Sequence, residues 1–173
     1  MKIKNLLLAF LLTGMSITGY AQKNDVDEAK ETIADFKKTN SDVNEFFNSA
    51  YGYAIFPGIG KGGLGVGGAA GKGTVFNGGT AVADCKMTQL SIGFQAGGQK
   101  YAEVIFFETF EAFSRFTGDN FEFAAQVSAI ALKSGVSLDA KYRDGILVIT
   151  MPIGGLMYEA SIGGQKFKTE MYK

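Results

Sequence analysis

The sequence predicts an α+β fold in which an N-terminal helical pair precedes a curved, mainly antiparallel, barrel-like β-sheet with one short helical insertion. Three observations support this prediction. Residues 24–47 carry apolar side chains at helical spacing, whereas the chain from Ala50 onward consists of short extended runs separated by glycine-rich turns. A phenylalanine-rich stretch at 109–116 returns to helical spacing. Glycines inside the extended runs are typical of sharp bending or close sheet packing.

Residues 1–21 are predicted to be a secretory signal peptide. A basic start and a short apolar segment precede a small-residue cleavage motif that ends at Ala21. Cleavage after Ala21 would leave residues 22–173 as a single domain of about 152 residues, which is long enough to bury a sizeable core. The sequence therefore predicts an exported protein that is periplasmic or associated with the outer membrane.

The predicted first helix begins at Asn24, and its break at Thr39–Ser41 separates it from a second helix that ends near Phe47. Ser41 or Asp42 is expected to cap the second helix. Residues 22–60 hold four basic and seven acidic side chains, whereas a helix that lies on a membrane is normally basic. Docking on the core is therefore favoured over membrane insertion. The apolar face of the first helix consists of Val26, Ala29, Ile33 and Phe36.

The sheet is predicted from extended runs that lie between turn signals. Tyr53–Phe56 is a short strand closed by Pro57, and the glycine-rich residues 62–76 form an extended segment that ends at a turn in 77–79. The helical insertion spans Thr109–Phe116 and ends at Gly118. The other predicted strands are 80–83, 87–96, 100–107, 121–132 and 145–151, followed by a hairpin of 156–162 and 165–171. A helix is the alternative for 121–132, because this run is rich in alanine.

Composition argues against several classes of function. Removal of Lys2 and Lys4 with the signal peptide leaves 15 basic and 17 acidic side chains, without the basic excess of a nucleic-acid-binding protein. The chain has no histidine, the commonest general base and metal ligand. Cys85 is the single cysteine, so an internal disulfide is excluded, and we expect it to be a small buried apolar residue.

The glycine run contains a weak match to a nucleotide-binding motif. Gly63–Gly68 fits G-x-G-x-x-G, but the residues that follow are unsuited to the helix start that would face a pyrophosphate. A P-loop would need glycine in place of Val66 and serine or threonine in place of Gly73. The run is therefore assigned to close backbone packing, and a ligand-facing role is kept for the turns near Lys61 and Lys72.

Catalytic residues cannot be assigned from the sequence. The serines have no histidine to activate them, and the carboxylates show neither the spacing of a calcium loop nor a fixed separation. We expect these acids to be solvated charges at strand ends, and we expect no enzymatic activity, no cofactor and no metal. The acids concerned are Asp84, Glu103, Glu108, Asp139 and Asp144.

Basic side chains at or near glycine-rich turns are the candidate binding residues. If these turns meet at one end of the sheet, they form a basic rim beside backbone N–H groups, which suits phosphate. Lysines scattered for solubility are the alternative. The candidates are Lys61, Lys72, Lys100, Lys133, Lys141, Arg143 and Lys166, with Lys168 close by.

An ordered set of motifs resembles the SYLF lipid-binding family. The motifs are Gly52–Pro57, the glycine run that starts at Lys61, Ile92–Gly98 before an apolar strand and a Phe-rich helix, and Gly154–Ser161. The resemblance covers about residues 29–168. It implies a module that binds phospholipids, with phosphoinositides as ligands of eukaryotic members. This chain departs from many of those members in its acidic N-terminal helix, its lack of tryptophan and its lack of an SH3 or FYVE domain.

The expected function is a non-enzymatic phospholipid-binding module at the periplasmic face of a bacterial envelope membrane. The expected partner is an anionic phospholipid or an outer-membrane lipid, bound through the basic glycine-rich turns, and no nucleic acid is expected. The alternative is an envelope scaffold or protein-interaction domain without a lipid ligand. The helical N-terminal quarter argues against a third interpretation, a small outer-membrane barrel.

Overall fold

The computed structural model describes residues 25–64, 66–92, 99–118, 120–124, 127–154 and 160–173. The expected signal peptide and its cleavage site lie outside these ranges. The described chain contains two N-terminal helices, nine strands of one sheet and one inserted helix, which confirms the predicted fold class. No helix in these ranges is both long and apolar enough to cross a membrane.

The predicted helical pair is confirmed. Helix α1 covers residues 25–39 and helix α2 covers Val43–Ser49. The expected side-chain cap is wrong, because Asp42 holds the N-cap position without a capping hydrogen bond. Its Oδ2 instead accepts a hydrogen bond from the backbone N–H of Leu138 at 3.1 Å. Asn40 organises the turn, since its Oδ1 accepts from the backbone N–H of Asp42 at 3.0 Å.

The sheet consists of four long strands followed by five shorter ones. Its strand order is β5-β9-β3-β2-β1-β4-β7-β6-β8, and every neighbouring pair is antiparallel except β6 with β7. The strands are β1 (Gly52–Leu64), β2 (Val66–Asn77), β3 (Thr80–Ile92), β4 (Gln99–Phe107), β5 (Phe121–Glu122), β6 (Ser128–Ala131), β7 (Ile146–Pro152), β8 (Ala160–Ser161) and β9 (Gln165–Met171).

The sheet curls into a half-barrel. Strands β8 and β9 lie near opposite ends of the strand order, yet only residues 162–164 separate them in the chain. The two ends of the sheet must therefore approach each other. The side chains of Tyr101 on β4 and Gln165 on β9 are hydrogen-bonded at 3.3 Å, although three strands lie between β4 and β9. The face that carries these two residues is the concave face.

A separate hydrophobic core lies on each face of the sheet. The concave core contains Phe56, Phe107 and Phe167, together with the buried side of helix α3 (Phe110–Thr117). The convex core contains Val104 and Phe106 and is covered by α1 and α2. Because both faces of β4 are covered, its residues from 101 to 107 are all buried. The helical pair therefore docks on the core, as its acidic balance predicts.

The strand boundaries in the glycine run differ from the predicted ones. Strand β1 does not end at Pro57, because it continues to Leu64 across a register irregularity between Phe56 and Ile59. Residues 62–76 are also not one extended segment. Leu64 and Val66 are register partners, so β1 and β2 form a hairpin. A proline fits here because the irregular register removes the need for its missing N–H.

Three further strand predictions are corrected. The runs 80–83 and 87–96 belong to one strand, β3, as far as it is described. The run 121–132 is interrupted, because the chain turns between Ala124 and Val127, where the N–H of Val127 donates to the carbonyl of Ala124 at 3.1 Å. The expected final hairpin does not pair with itself. Strand β8 joins β6, whereas β9 joins β3 and β5.

The predicted turn after β2 and the predicted ends of the inserted helix are confirmed. Gly78 and Gly79 both have positive φ, 53° and 81°, in the turn that joins β2 to β3, as a tight antiparallel hairpin requires. Helix α3 begins after Thr109, whose Oγ1 accepts from the N–H of Ala112 at 3.3 Å, and it ends at Gly118. The expected turn at Gly97–Gly98 lies outside the described residues.

Candidate binding face

Helices α1 and α2 leave part of the convex face of the sheet uncovered in the described chain. Five exposed lysines lie on this part, and we call them the lysine face. Their placement follows from strand alternation, because Lys72 shares a face with Phe76 of the convex core, and Lys100 shares a face with Val104. The lysine face consists of Lys72, Lys86, Lys100, Lys166 and Lys168.

Three of these lysines form a row across the sheet. Lys72 on β2 is the register partner of Lys86 on β3, and Lys86 is the register partner of Lys168 on β9. Directly opposed side chains in a sheet are close neighbours, and like charges in such positions are destabilising. This row therefore places three ammonium groups side by side on the exposed surface, two of them next to the carboxylate of Glu170.

The next row of the convex face places the other two lysines at its ends. Lys100 on β4 opposes Gly60 on β1, and Thr88 on β3 opposes Lys166 on β9, with Ala70 of β2 between Gly60 and Thr88. The middle of this row is small and uncharged. The lysine face therefore carries cations on two consecutive rows of the convex face.

The charge of the lysine face is only partly balanced by neighbouring carboxylates. Glu170 Oε1 lies 3.8 Å from Lys86 Nζ and 3.9 Å from Lys168 Nζ, and Glu122 lies 3.4 Å from Lys166. These pairs are well exposed, so each contributes at most about 1 kcal/mol. Within the described ranges, Lys72 and Lys100 form no ion pair, which leaves them available to an anionic ligand.

A cavity of about 430 Å³ lies beside the lysine face and is lined by four of its lysines. Four acidic side chains line the same cavity, so it carries four charges of each sign: they are Asp25 and Glu28 from the start of α1, Asp84 and Glu170. The side chain of Lys100 crosses Gly58, where a Cβ would lie 2.6 Å from Lys100 Cε. A residue larger than glycine at this position would displace Lys100.

The remaining predicted binding residues lie elsewhere. Lys61 opposes Ala69 and Gln99 on the concave side of the hairpin. Lys133, Lys141 and Arg143 belong to the connection between β6 and β7. Lys141 and Arg143 line a separate cavity of about 660 Å³ together with Arg115. The structure thus brings together Lys72, Lys100, Lys166 and Lys168 from the predicted set, but not the other four.

Lys86 was missed because the sequence prediction ended one strand at residue 83 and began the next at 87. The alternation of Asp84, Lys86 and Thr88 with apolar residues was the available signal, since it indicates one continuous strand with a polar face. A continuous β3 would have placed Lys86 on one face with Asp84 and Thr88, whereas its lysine neighbours follow only from the pairing with β2 and β9.

Glu103 corrects the expectation of a solvated strand-end charge. It is completely buried on the concave face, where it accepts a hydrogen bond from Gln165 Nε2 at 3.2 Å. Burial raises the pKa of its carboxyl to about 8, although the hydrogen bond from Gln165 opposes the shift. Thr150 lies directly opposite on β7 and is also buried. Glu103 is sealed from solvent, so it is not available to a solvent-borne substrate.

Cys85 is buried on the concave face, as the sequence predicts. Burial raises the pKa of its thiol to about 12. The thiolate, which is the reactive form, is therefore scarce at neutral pH. In the described part of the chain, no group of three or more acidic or cysteine side chains is arranged to hold a metal ion.

The fold and its lysine face together define a class: a small α+β domain in which a curled sheet is backed by N-terminal helices and presents an uncovered cationic strip. Residues 88–171 match the model of the Ysc84 family, described as "Las17-binding protein actin regulator". Residues 88–171 therefore belong to a domain of this family, which is the SYLF family that the motifs of the chain resemble.

A curated relative supports the same assignment. Over 122 residues the chain is 32% identical to "Beta cell expansion factor A" of Aeromonas veronii. The alignment covers 70% of this chain and 46% of the relative. This chain therefore spans about half the length of that protein.

Proposed function

We propose that residues 22–173 form a non-enzymatic phospholipid-binding domain that docks through its lysine face on an anionic membrane surface of the bacterial envelope. The observation that supports this proposal most directly is the row of Lys72, Lys86 and Lys168. Like charges in opposed positions repel, and Glu170 offsets this repulsion only at Lys86 and Lys168. An anionic surface that supplies several phosphates at once removes the repulsion and gains charge-assisted hydrogen bonds.

The lysines are distributed over four strands, β2, β3, β4 and β9, which suits an extended anionic surface more than a single small ligand. Gly60 and Ala70 separate the lysines on the second row, and a Cβ added at Gly60 would contact nothing within 4 Å. Lysines near an anionic bilayer each contribute about 1 kcal/mol, and this attraction falls off within a Debye length. Binding should therefore weaken markedly as the salt concentration rises.

Vesicle co-sedimentation tests the proposal. We expect the protein from residue 22 onward to bind vesicles that contain phosphatidylglycerol at low salt. Replacing Lys72 and Lys100 by glutamine removes two cations without breaking an ion pair of the described chain. We expect a loss of roughly thirtyfold in affinity from about 2 kcal/mol.

A matched control removes the same number of positive charges from another part of the surface. Lys133→Gln with Lys141→Gln removes two exposed cations outside the lysine face, and we expect a clearly smaller loss. Equal losses in the two double variants would overturn the assignment to the lysine face. Absence of binding by the unaltered protein at low salt would overturn lipid binding itself.

A second candidate function is a protein-interaction or scaffold domain without a lipid ligand. An exposed aromatic pair favours it, because Tyr51 and Phe110 are 38% and 57% exposed and their ring centroids lie 5.8 Å apart. Exposed aromatic groups are common at protein interfaces, and the family description names a protein that binds a protein. A stable lipid-free oligomer in sedimentation velocity, dissociated by Phe110→Ser, would support this candidate.

The proposal includes export and removal of residues 1–21. The basic and apolar segments of that stretch and the small residues before Gln22 support it. Intact-mass measurement of the protein recovered from the periplasm or the medium tests the cleavage site, because cleavage after Ala21 makes Gln22 the first residue.

A further inference from the structure

The half-barrel has a cavity at the place where its two sides approach each other. Five strands lie between β5 and β7 in the order of the sheet, yet Phe121 of β5 and Val148 of β7 line the same cavity of about 660 Å³. We call it the seam cavity; its lining comes from α3, β5, β6, β7 and the chain segments between them. Ligand cavities of this size are common at the mouths of β-barrels.

Part of the lining of the seam cavity is apolar. Phe123 and Val148 line it and are buried members of the concave core. Three half-buried side chains that pack against the same core also line the cavity: Phe121, Val127 and Ile146. The cavity therefore adjoins the hydrophobic interior of the half-barrel. A hydrocarbon chain that covers these side chains is stabilised by the removal of apolar surface from water.

The seam cavity contains both arginines of the chain. Of the 17 basic residues only Arg115 and Arg143 are arginines, and both line this cavity. A guanidinium group can bind a carboxylate through two parallel hydrogen bonds, whereas the ammonium group of lysine acts as a point charge. The two side chains best suited to a carboxylate therefore lie at one site.

Backbone contacts hold the two arginines near each other. Arg115 Nη2 on helix α3 donates to the carbonyl oxygen of Asp144 at 2.6 Å, which connects the helix to the residue next to Arg143. The backbone of Arg143 exchanges two hydrogen bonds with that of Ile146, at 2.9 and 3.0 Å. Within the described ranges, neither arginine forms an ion pair, so both remain available to an anionic ligand.

The carboxylates of the seam cavity balance its cations only in part. Lys141 is the third cation of the lining, which also includes three acids: Glu122, Asp139 and Asp144. The carboxylate of Glu122 is already paired, at 3.4 Å, with Lys166 of the lysine face. Three cations therefore share the cavity with two carboxylates that form no ion pair in the described chain. This balance favours a ligand with a single negative charge.

We propose that the seam cavity binds a fatty acid, with its hydrocarbon chain against the concave core and its carboxylate at Arg115 and Arg143. The apolar lining and the pair of guanidinium groups match the two parts of such a molecule. The site is separate from the lysine face and takes a free single-chain lipid instead of a membrane surface. It therefore adds a second ligand to the proposed function and does not depend on it.

Fluorescence of cis-parinaric acid tests the proposal, because this fatty acid becomes strongly fluorescent when its chain enters an apolar site. We expect saturable binding of one molecule per protein in the absence of vesicles. Oleate should displace it at concentrations roughly tenfold or more below those of oleyl alcohol, which has the same chain without a charge. The difference arises because only the carboxylate forms charge-assisted hydrogen bonds with the arginines.

A double variant tests the two arginines. Arg115→Gln with Arg143→Gln should lower the affinity for oleate roughly tenfold or more and leave the affinity for oleyl alcohol unchanged. Unchanged binding of the alcohol shows that the variant is folded and that its cavity is intact. The matched control is Lys72→Gln with Lys100→Gln, which removes two cations from the lysine face and should bind oleate like the unaltered protein.

A single tryptophan locates the bound chain, because the protein has none of its own. Phe121→Trp replaces a half-buried ring of the cavity lining, and we expect dibromostearic acid to quench its emission in a saturable way. The control is Leu90→Trp, since Leu90 is 85% exposed and does not line the cavity. Its emission should not be quenched at the same concentrations.

Failure of this inference is distinguishable from failure of the proposed function. Vesicle binding without saturable binding of cis-parinaric acid would overturn the fatty-acid site alone. Equal displacement by oleate and oleyl alcohol would overturn it in favour of a neutral apolar ligand. Equal losses in the two double variants, or equal quenching of the two tryptophans, would place the ligand elsewhere and also overturn it. Fatty-acid binding without vesicle binding would support the seam cavity and overturn docking through the lysine face.

Discussion

At the scale of single residues, Glu103 is the least expected feature of the chain. Its carboxyl is enclosed by the concave core and is contacted by the amide of Gln165, which also donates to the hydroxyl of Tyr101. An ionised carboxylate in such a place is very unfavourable. The protonated form is therefore favoured in the folded protein at neutral pH, as the raised pKa of about 8 indicates.

This carboxyl makes stability depend on pH. The folded protein keeps the proton up to a pKa of about 8, whereas the unfolded chain releases it near the ordinary glutamate pKa of 4.5. The contribution of Glu103 to the free energy of unfolding should therefore be largest below pH 4.5 and decline by a few kcal/mol as the pH rises to about 8. Urea unfolding of the unaltered protein at several pH values measures this decline.

Glu103→Gln isolates that contribution, because an amide keeps the size of the group and does not titrate. We expect its stability to exceed that of the unaltered protein by an increasing margin between pH 5 and pH 8. Glu122→Gln, on an exposed carboxylate, should leave the pH dependence nearly unchanged. Parallel pH profiles for Glu103→Gln and the unaltered protein would show that Glu103 titrates normally.

At the scale of elements, the β1–β2 hairpin explains why so many glycines are used. A Cβ at Gly73 would lie 2.4 Å from the carbonyl oxygen of Ile55 and 2.7 Å from the ring of Phe56. The concave face of β2 therefore allows the neighbouring strand and its aromatic ring to approach closely. This position confirms that the glycine run serves backbone packing, at least where it crosses the core.

The hairpin provides a matched pair of substitutions. Gly73→Ala should lower the free energy of unfolding by roughly 1–3 kcal/mol or more, because a backbone oxygen must move. Gly60→Ala should change it by no more than about 0.5 kcal/mol, since nothing lies within 4 Å of the added methyl group. Urea unfolding at one pH compares the two variants, and similar losses would contradict the role assigned to Gly73.

The elements that the sequence predicts well are those set by local chemistry. Thr109 and Gly118 bound helix α3, and Gly78 with Gly79 forms a turn, because each depends on residues that are adjacent in the chain. Strand ends in the glycine run depend instead on which strand lies alongside. Pro57 is tolerated only because the register with β2 and β4 is irregular there, and this irregularity has no local signal.

At the scale of the whole molecule, Phe167 on β9 connects parts that are distant in the chain. Its ring lies 5.7 Å from that of Phe56, 5.0 Å from that of Phe116 and 5.3 Å from that of Phe123, measured between centroids. These rings belong to β1, α3 and the segment after β5. The concave core therefore depends on the last strand of the sheet.

Truncation of this ring should destabilise the whole domain. We expect Phe167→Ala to lower the free energy of unfolding by about 3–5 kcal/mol, and Phe167→Leu to give a smaller loss. Met171→Ala, at a 55% exposed position of the same strand, should cost less than about 0.5 kcal/mol. Chemical unfolding measures all three, and equal effects of Phe167→Ala and Met171→Ala would contradict the central position of β9.

The fold class could be predicted from the sequence, whereas the order of strands could not. Helical and extended periodicities are local, so the helical pair and the succession of strands are visible along the chain. The pairing of β9 with β3 and β5, and of β8 with β6, depends on distant segments. The lysine face follows from that pairing, because Lys86 and Lys168 become neighbours only when β3 and β9 are adjacent.

The place of β9 between β3 and β5 also fixes an order of events during folding. Strands β1 to β4 can pair as soon as they are available, but the outer edge of β3 stays open until residues 165–171 arrive. A chain that leaves a ribosome or a translocation channel N-terminus first exposes that edge throughout its emergence. Lys86 lies on this unpaired edge of β3, and charged edge residues discourage pairing with other chains. We therefore expect Lys86 to discourage aggregation of the unfinished chain.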